Sequence, residues 1–71
     1  MNNILAAQVL RSHLPEITDG AYKRATEIAI QGLYLDAWRD WQSIETGLTV
    51  LEYLELTNEE YNYWLKGHRI A

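Results

Sequence analysis

The chain has 71 residues, no Cys and a formal net charge of −4, which limits it to one small domain with a thin core and excludes disulfides and thiolate metal sites. The first residues lack the basic segment and long apolar run of a signal peptide, and no apolar run reaches the roughly 18 residues of a membrane span. We therefore expect one cytoplasmic domain over residues 1–71, without membrane contact.

The first predicted element covers residues 1–14, with a helix from about Asn3 to His13. Pro15 ends this helix, because the residue before a proline is biased away from the helical conformation. β-branched residues never alternate over the length of a strand anywhere in the sequence. The fold is therefore predicted to be all-α, a small bundle of four to five helices.

The second predicted element, residues 19–43, carries two apolar faces that point in different directions. The first face consists of Tyr22, Ala25, Ile28, Ala29, Gly32 and Leu33. The second face consists of Tyr34, Ala37, Trp38 and Trp41. The second set has the i, i+3, i+4, i+7 spacing of an amphipathic helix, but its direction differs from that of the first set by roughly 140°.

Two structures would explain this change of direction. Either Gly32 ends one helix and a second begins near Leu33, or a single helix continues and presents both faces. A glycine inside a helix costs only about 1 kcal/mol, and no stop signal follows Gly32, so the sequence favours the single helix. In that case the first face would pack inside the protomer and the second would meet a partner.

Two capping boxes are predicted in the third element, residues 49–67. They pair Thr49 with Glu52 and Thr57 with Glu60. In such a box the first side chain accepts from the backbone of the second residue, and the second side chain accepts in return. The boxes predict a short helix at about 50–55 and a longer one at about 58–66.

The segment LTVLEYLELTNEEYNYWLKG, residues 48–67, resembles the helix-turn-helix of phage-type repressors. Its turn is matched by Leu54, Leu56 and Thr57, and the buried positions of its second helix are matched by Tyr61, Trp64 and Leu65. The resemblance implies a C-terminal helix-turn-helix-like pair. Two positions depart from the pattern: Glu55 stands where the family usually has Gly, and Leu51 stands where it usually has a small residue.

Charge is the larger departure from that family. All the excess negative charge lies in residues 36–71, and the acidic surface candidates are Asp36, Asp40, Glu52, Glu55, Glu59 and Glu60. Such a surface repels a phosphate backbone, so direct nucleic-acid binding is not expected. Glu59 and Glu60 also have a structural explanation, since carboxylates in the first turn favour the helix dipole. A helix-turn-helix DNA-binding transcriptional regulator is the alternative function.

The residues that chemistry at an active site requires are scarce. His13 and His68 are the only histidines, and the spaced Cys or His ligands of a zinc site are missing. No glycine-rich phosphate loop and no nucleophile–base pair are indicated. We therefore expect no enzyme, no metal and no cofactor.

Protein contact is the function that the sequence favours. The interface candidates are Tyr34, Ala37, Trp38, Trp41 and Arg39, because aromatic residues and Arg are enriched at interface hot spots. The alternative is that the two Trp residues form core against the C-terminal pair. Small chains also gain stability by dimerising. Because the second apolar face would give such a dimer its contact, a homodimer is expected. The sequence also resembles small accessory proteins of phages and mobile elements, which implies an inhibitor or adaptor, and an inhibitor that mimics DNA stays open.

Overall fold

The computed structural model describes the backbone of residues 2–68 and the side chains of residues 2–64. Within them lie four α-helices, a short 3-10 turn and no strand, so the all-α prediction is confirmed for this part of the chain. The elements are α1 (Asn3–His13), the 3-10 turn (Leu14–Glu16), α2 (Gly20–Ser43), α3 (Val50–Leu54) and α4 (Asn58–His68). The side chains of Leu65 and Lys66 lie outside the described residues.

α1 begins at a side-chain cap that the sequence analysis did not identify. The Asn2 Oδ1 atom accepts a hydrogen bond from the Ile4 N–H at 2.9 Å, which satisfies one of the free N–H groups of the first turn. At its other end α1 passes into the 3-10 turn, which contains Pro15. The short connection that follows reverses the chain into α2.

α2 is one unbroken helix of 24 residues, so the structure corresponds to the second of the two alternatives. The Asp19 carboxylate caps it by accepting from the Tyr22 N–H at 2.8 Å. Gly32 lies inside the helix, and a Cβ atom built there would meet no heavy atom within 4 Å. The glycine is therefore not required by packing within the protomer.

Both capping boxes form at the N-termini of α3 and α4. The Glu52 N–H donates to Thr49 Oγ1 at 3.2 Å, and the Thr49 N–H donates to Glu52 Oε1 at 3.0 Å. The corresponding distances between Thr57 and Glu60 are 3.1 and 3.0 Å. These backbone hydrogen bonds lower the pKa of Glu52 and the pKa of Glu60, because they stabilise the ionised carboxylates.

The turn between α3 and α4 passes through a left-handed residue. Glu55 has φ 57° and ψ 43°, a conformation that L-residues with a side chain adopt at a cost. The Leu56 N–H then donates to the Leu51 carbonyl at 3.1 Å, which closes the end of α3 as in a Schellman motif. Glu55 thus occupies the kind of backbone position at which glycine is favoured.

The core lies where α1, α3 and α4 pack against α2. Its buried apolar residues are Ile4, Ala7, Ile30, Tyr34, Ala37, Leu54, Leu56 and Trp64. The rings of Tyr34 and Trp64 are 5.9 Å apart between centroids, which joins α2 to α4. The hydroxyl of Tyr63 on α4 also donates to the carboxylate of Glu27 on α2, and this bond raises the pKa of Tyr63.

Neither apolar face of α2 is wholly buried or wholly exposed, which differs from the expected division between core and partner surface. Tyr34 and Ala37 of the second face are buried, whereas Tyr22 and Ile28 of the first face are 64% and 49% exposed. The core side of α2 begins at Thr26, whose hydroxyl donates to the Tyr22 carbonyl at 2.9 Å. Because that bond satisfies the hydroxyl inside the helix, Thr26 can lie on the buried side of α2 although it is a polar residue.

Candidate protein-binding surfaces

Two of the predicted interface residues belong to the core of the protomer. Tyr34 is 1% exposed and Ala37 is 3% exposed, so neither side chain is accessible to a partner. This corrects the expectation for both residues. The physical reason for Tyr34 is that Trp64 of α4 packs against its ring. Ala37 instead lies near Ile4 of α1 and Tyr53 of α3.

Trp41 is partly exposed at the C-terminal end of α2, and Trp38 lies one turn before it with similar partial exposure. The Trp41 Nε1–H donates to the Leu48 carbonyl at 2.9 Å. This bond satisfies the polar edge of the indole and leaves part of the apolar ring accessible. Such a ring, fixed by its polar edge, is typical of interface anchors.

The connection after α2 is held in one shape by short-range hydrogen bonds. The Leu48 N–H donates to Thr46 Oγ1 at 3.1 Å, a side-chain turn of the kind that Ser and Thr form. Gly47 follows Thr46 with φ 75°, a value at which glycine avoids the strain of a Cβ atom. The connection therefore presents its apolar side chains in defined positions.

We call the surface formed by Trp41, Ile44 and Leu48 the aromatic end. Ile44 is 48% exposed and Leu48 is 46% exposed, and both line a shallow open groove together with Trp41. The sequence analysis missed Ile44 and Leu48. The available signal was the presence of two large apolar residues in a short Gly-containing connection, where polar residues are usual.

Arg39 does not join the aromatic end. Its side chain is 66% exposed, and Nη1 lies 4.0 Å from the Asp36 carboxylate one turn away. Residues one apart on a helix point in different directions, so Arg39 lies around the helix from Trp38. The predicted combination of Arg39 with the two Trp residues on one surface is not present.

The acidic candidates are spread over three helices and the turn between α3 and α4. Exposed carboxylates are found at Asp36, Asp40, Glu52, Glu55 and Glu59, and Glu60 is partly buried. Asp40 and Glu55 line a common groove between α2 and α3. Glu52 and Glu60 are engaged in the capping boxes, which leaves fewer free carboxylates than the sequence count.

A second exposed apolar surface lies on α1 and α2, and we call it the apolar face. It consists of Leu5 and Val9 on α1 and of Tyr22, Ala25, Ile28 and Ala29 on α2. Leu5 and Val9 are 58% and 51% exposed. Several large apolar side chains grouped in this way mark an interaction site more often than scattered ones do.

Other kinds of site lack support in the described residues. Within the part of the chain that the structure describes, no three His, Cys, Asp or Glu side chains are grouped so as to hold a metal ion. The described helices also include none with the length and apolar character needed to cross a bilayer. Comparison of the chain with protein-family models, with curated proteins and with solved structures gave no match.

Proposed function

We propose that this chain is a small acidic protein-interaction module that binds another protein through the aromatic end. The observation that carries the proposal is the exposure of Ile44 and Leu48 beside the partly exposed Trp41, whose indole is hydrogen bonded to the same connection. Burying these side chains against a partner would remove apolar surface from water at about 25 cal/mol per Å². The fixed shape of the connection lowers the entropic cost of that binding.

The mode of action proposed for the module is that of an inhibitor or adaptor, and the active form is a homodimer. The resemblance of the sequence to small phage and mobile-element accessory proteins supports this mode by analogy. The exposed carboxylates around the aromatic end, including Asp40 and Glu45, would favour a partner whose binding groove is basic. Enzymes that act on nucleic acids have basic grooves of this kind.

The alternative function is a helix-turn-helix regulator that binds DNA. One observation favours it: three residues separate α3 from α4, which is the turn length of such motifs, and Glu55 has the left-handed conformation that a glycine there would adopt. Against it, the described side chains of α3 and α4 include no Lys or Arg. A strong DNA binder makes about 6–10 phosphate contacts, so we propose that the α3–α4 pair does not bind DNA.

One comparison separates the two functions. Three immobilised chains are exposed to extract of the source cell. They are the wild type, the double variant Ile44→Asp with Leu48→Asp, and the control Glu16→Asp on the exposed 3-10 turn. The proposal predicts a protein retained by wild type and control but lost with the double variant. Retention of nonspecific duplex at about 50 mM salt, where electrostatic binding is strong, would support the regulator instead.

A further inference from the structure

We infer that a second copy of this chain docks on the apolar face, with the two α2 helices crossing antiparallel near Ala29. The inference deepens the proposed function and rests on it, because it names the surface of the proposed homodimer. It also corrects the sequence analysis, which assigned that contact to the second face of α2.

The exposed sides of α1 and α2 adjoin. Leu10 on α1 and Leu33 on α2 are both partly buried against the core. Ala6 lies four residues before Leu10, and Ala29 lies four residues before Leu33, so each alanine shares the side of its helix with that leucine. Because α1 and α2 pack directly against each other, we place the seam of a surface two helices wide at these leucines.

The extent of this surface suits a weak dimer. Residues 21–33 of α2 span about 20 Å at 1.5 Å per residue, and two packed helices are about 20 Å wide. The resulting area of roughly 400 Å² is in the range of the largest apolar patches on monomers. Two such faces together bury roughly 800 Å², below the roughly 1,000 Å² of a stable specific interface, so a weak, transient dimer is expected.

Small residues on α2 allow a second helix to approach closely. Ala21, Ala25, Ala29 and Gly32 recur at spacings of three and four, and the three alanines are exposed. The space around Gly32 is open within the protomer, since a Cβ atom there would touch nothing. The absence of a side chain at this position thus serves no contact inside the protomer, whereas a helix of a second copy would use it.

Charge favours the antiparallel arrangement. Asp36 follows Gly32 on the same side of α2 and is exposed, so a parallel pair would bring the two Asp36 carboxylates together at a cost. An antiparallel pair centred on Ala29 instead brings Tyr22 level with Asp36 of the partner subunit, because each is seven positions from the centre. The Tyr22 hydroxyl would donate to that carboxylate near the positive N-terminal end of α2.

The same arrangement covers the exposed side of α1. Ile4 and Ala37 line one groove, which places the N-terminal end of α1 beside the later turns of α2. Leu5 is therefore level with Asp36 and close to the position of Tyr22 of the partner subunit. The most exposed large apolar side chains of the two helices, Leu5 and Tyr22, would bury each other.

The dimer leaves both aromatic ends free. Trp41 is twelve residues from Ala29, so the two Trp41 residues would lie about 36 Å apart along the paired helices. A dimer of this geometry presents two protein-binding surfaces at opposite ends. Binding of a partner with two sites would then gain from effective concentration without any new contact.

Sedimentation equilibrium of the whole chain from about 5 to 500 µM tests the dimer without any other partner. Ala29→Glu should weaken dimerisation by about tenfold or more, because it places two carboxylates at the crossing point. Gln42→Glu is the matched control: it adds the same charge at an exposed position outside the apolar face. Ala25→Glu serves as a second variant if circular dichroism shows that Ala29→Glu loses helix.

The orientation is tested by spin labels at Gln42→Cys, which is the only thiol in the variant because the chain has no Cys. The antiparallel pair predicts labels about 40 Å apart, whereas a parallel pair predicts less than about 20 Å. A monomer at all concentrations, dimerisation unaffected by either glutamate, or the short distance would overturn the inference. Since Ala25→Glu and Ala29→Glu change no residue of the aromatic end, failure here is distinguishable from loss of partner binding by the Ile44 and Leu48 variants.

Discussion

Arg11 and Glu60 join the first helix to the last, with 2.7 Å between Arg11 Nη1 and Glu60 Oε2. The other carboxylate oxygen of Glu60 accepts from the Thr57 N–H in the capping box. One side chain therefore both begins α4 and fixes it to α1. Glu60 was predicted as an acidic surface residue and as a cap, and in the structure its carboxylate faces a cation.

We expect Arg11 and Glu60 to be energetically coupled. Arg11→Met, Glu60→Gln and the double variant form a cycle in which glutamine retains the oxygen that accepts from Thr57. The coupling should be about 0.5–1 kcal/mol, at the upper end for partly exposed ion pairs, and should fall at about 1 M salt. Urea unfolding measures each variant, and strictly additive losses would show that the pair contributes nothing.

Tyr34 should behave as a core residue with an unneeded hydroxyl. Its oxygen has no hydrogen-bond partner of good geometry among the described residues; burial raises the pKa of Tyr34, and the nearby Arg11 guanidinium opposes part of that rise. Tyr34→Phe is expected to increase the free energy of unfolding by about 1 kcal/mol, whereas Tyr34→Ala should decrease it by about 3–5 kcal/mol. If Tyr34→Phe is instead less stable than wild type, the Tyr34 hydroxyl forms a hydrogen bond in solution.

Glu55→Gly should stabilise the chain. The backbone at Glu55 is left-handed, and glycine removes the clash of the Cβ atom at a smaller cost in unfolded-state entropy, for a net gain of about 0.5–1 kcal/mol. Glu55→Ala is the control, since it removes the same charge and keeps the Cβ atom. Equal thermal stability of the Gly and Ala variants would show that charge, not backbone conformation, sets the effect.

Acid should destabilise the chain partly through its capping boxes. The pKa of Glu52 and the pKa of Glu60 are lowered in the folded state from 4.5, so the folded state binds these protons less tightly than the unfolded state. Their contribution is therefore present above pH 4.5 and is lost as the pH falls through the lowered folded values. The free energy of unfolding is measured from neutral pH into this acid range. It should decrease less in the variant that combines Glu52→Gln and Glu60→Gln than in wild type.

Local signals in the sequence predicted the local structure well. Pro15 marked the end of α1, and the Thr and Glu spacings corresponded to the start of α3 and α4. These features depend on residues within a few positions of one another, which is the range over which caps and turns act. The all-α class was also predicted from local patterns of this kind.

Tertiary packing was the part that the sequence did not determine. Periodicity identified two apolar faces on α2 but did not say which one α4 would cover. The buried side of α2 was not recognised in the sequence because it includes Thr26, a polar residue whose hydroxyl donates within its own helix. Ile44 and Leu48 were missed for a related reason: their position beside Trp41 depends on a hydrogen bond across seven residues.

Photo-crosslinking tests the central claim most directly, that the aromatic end binds a protein. A photoreactive amino acid replaces Ile44 in one sample and Glu16, whose side chain is 79% exposed, in a second, and both are irradiated in the source cell. We predict one discrete protein adduct from position 44 that nuclease does not remove and that position 16 does not give. A nucleic-acid adduct, or the same adducts from both positions, would contradict the account.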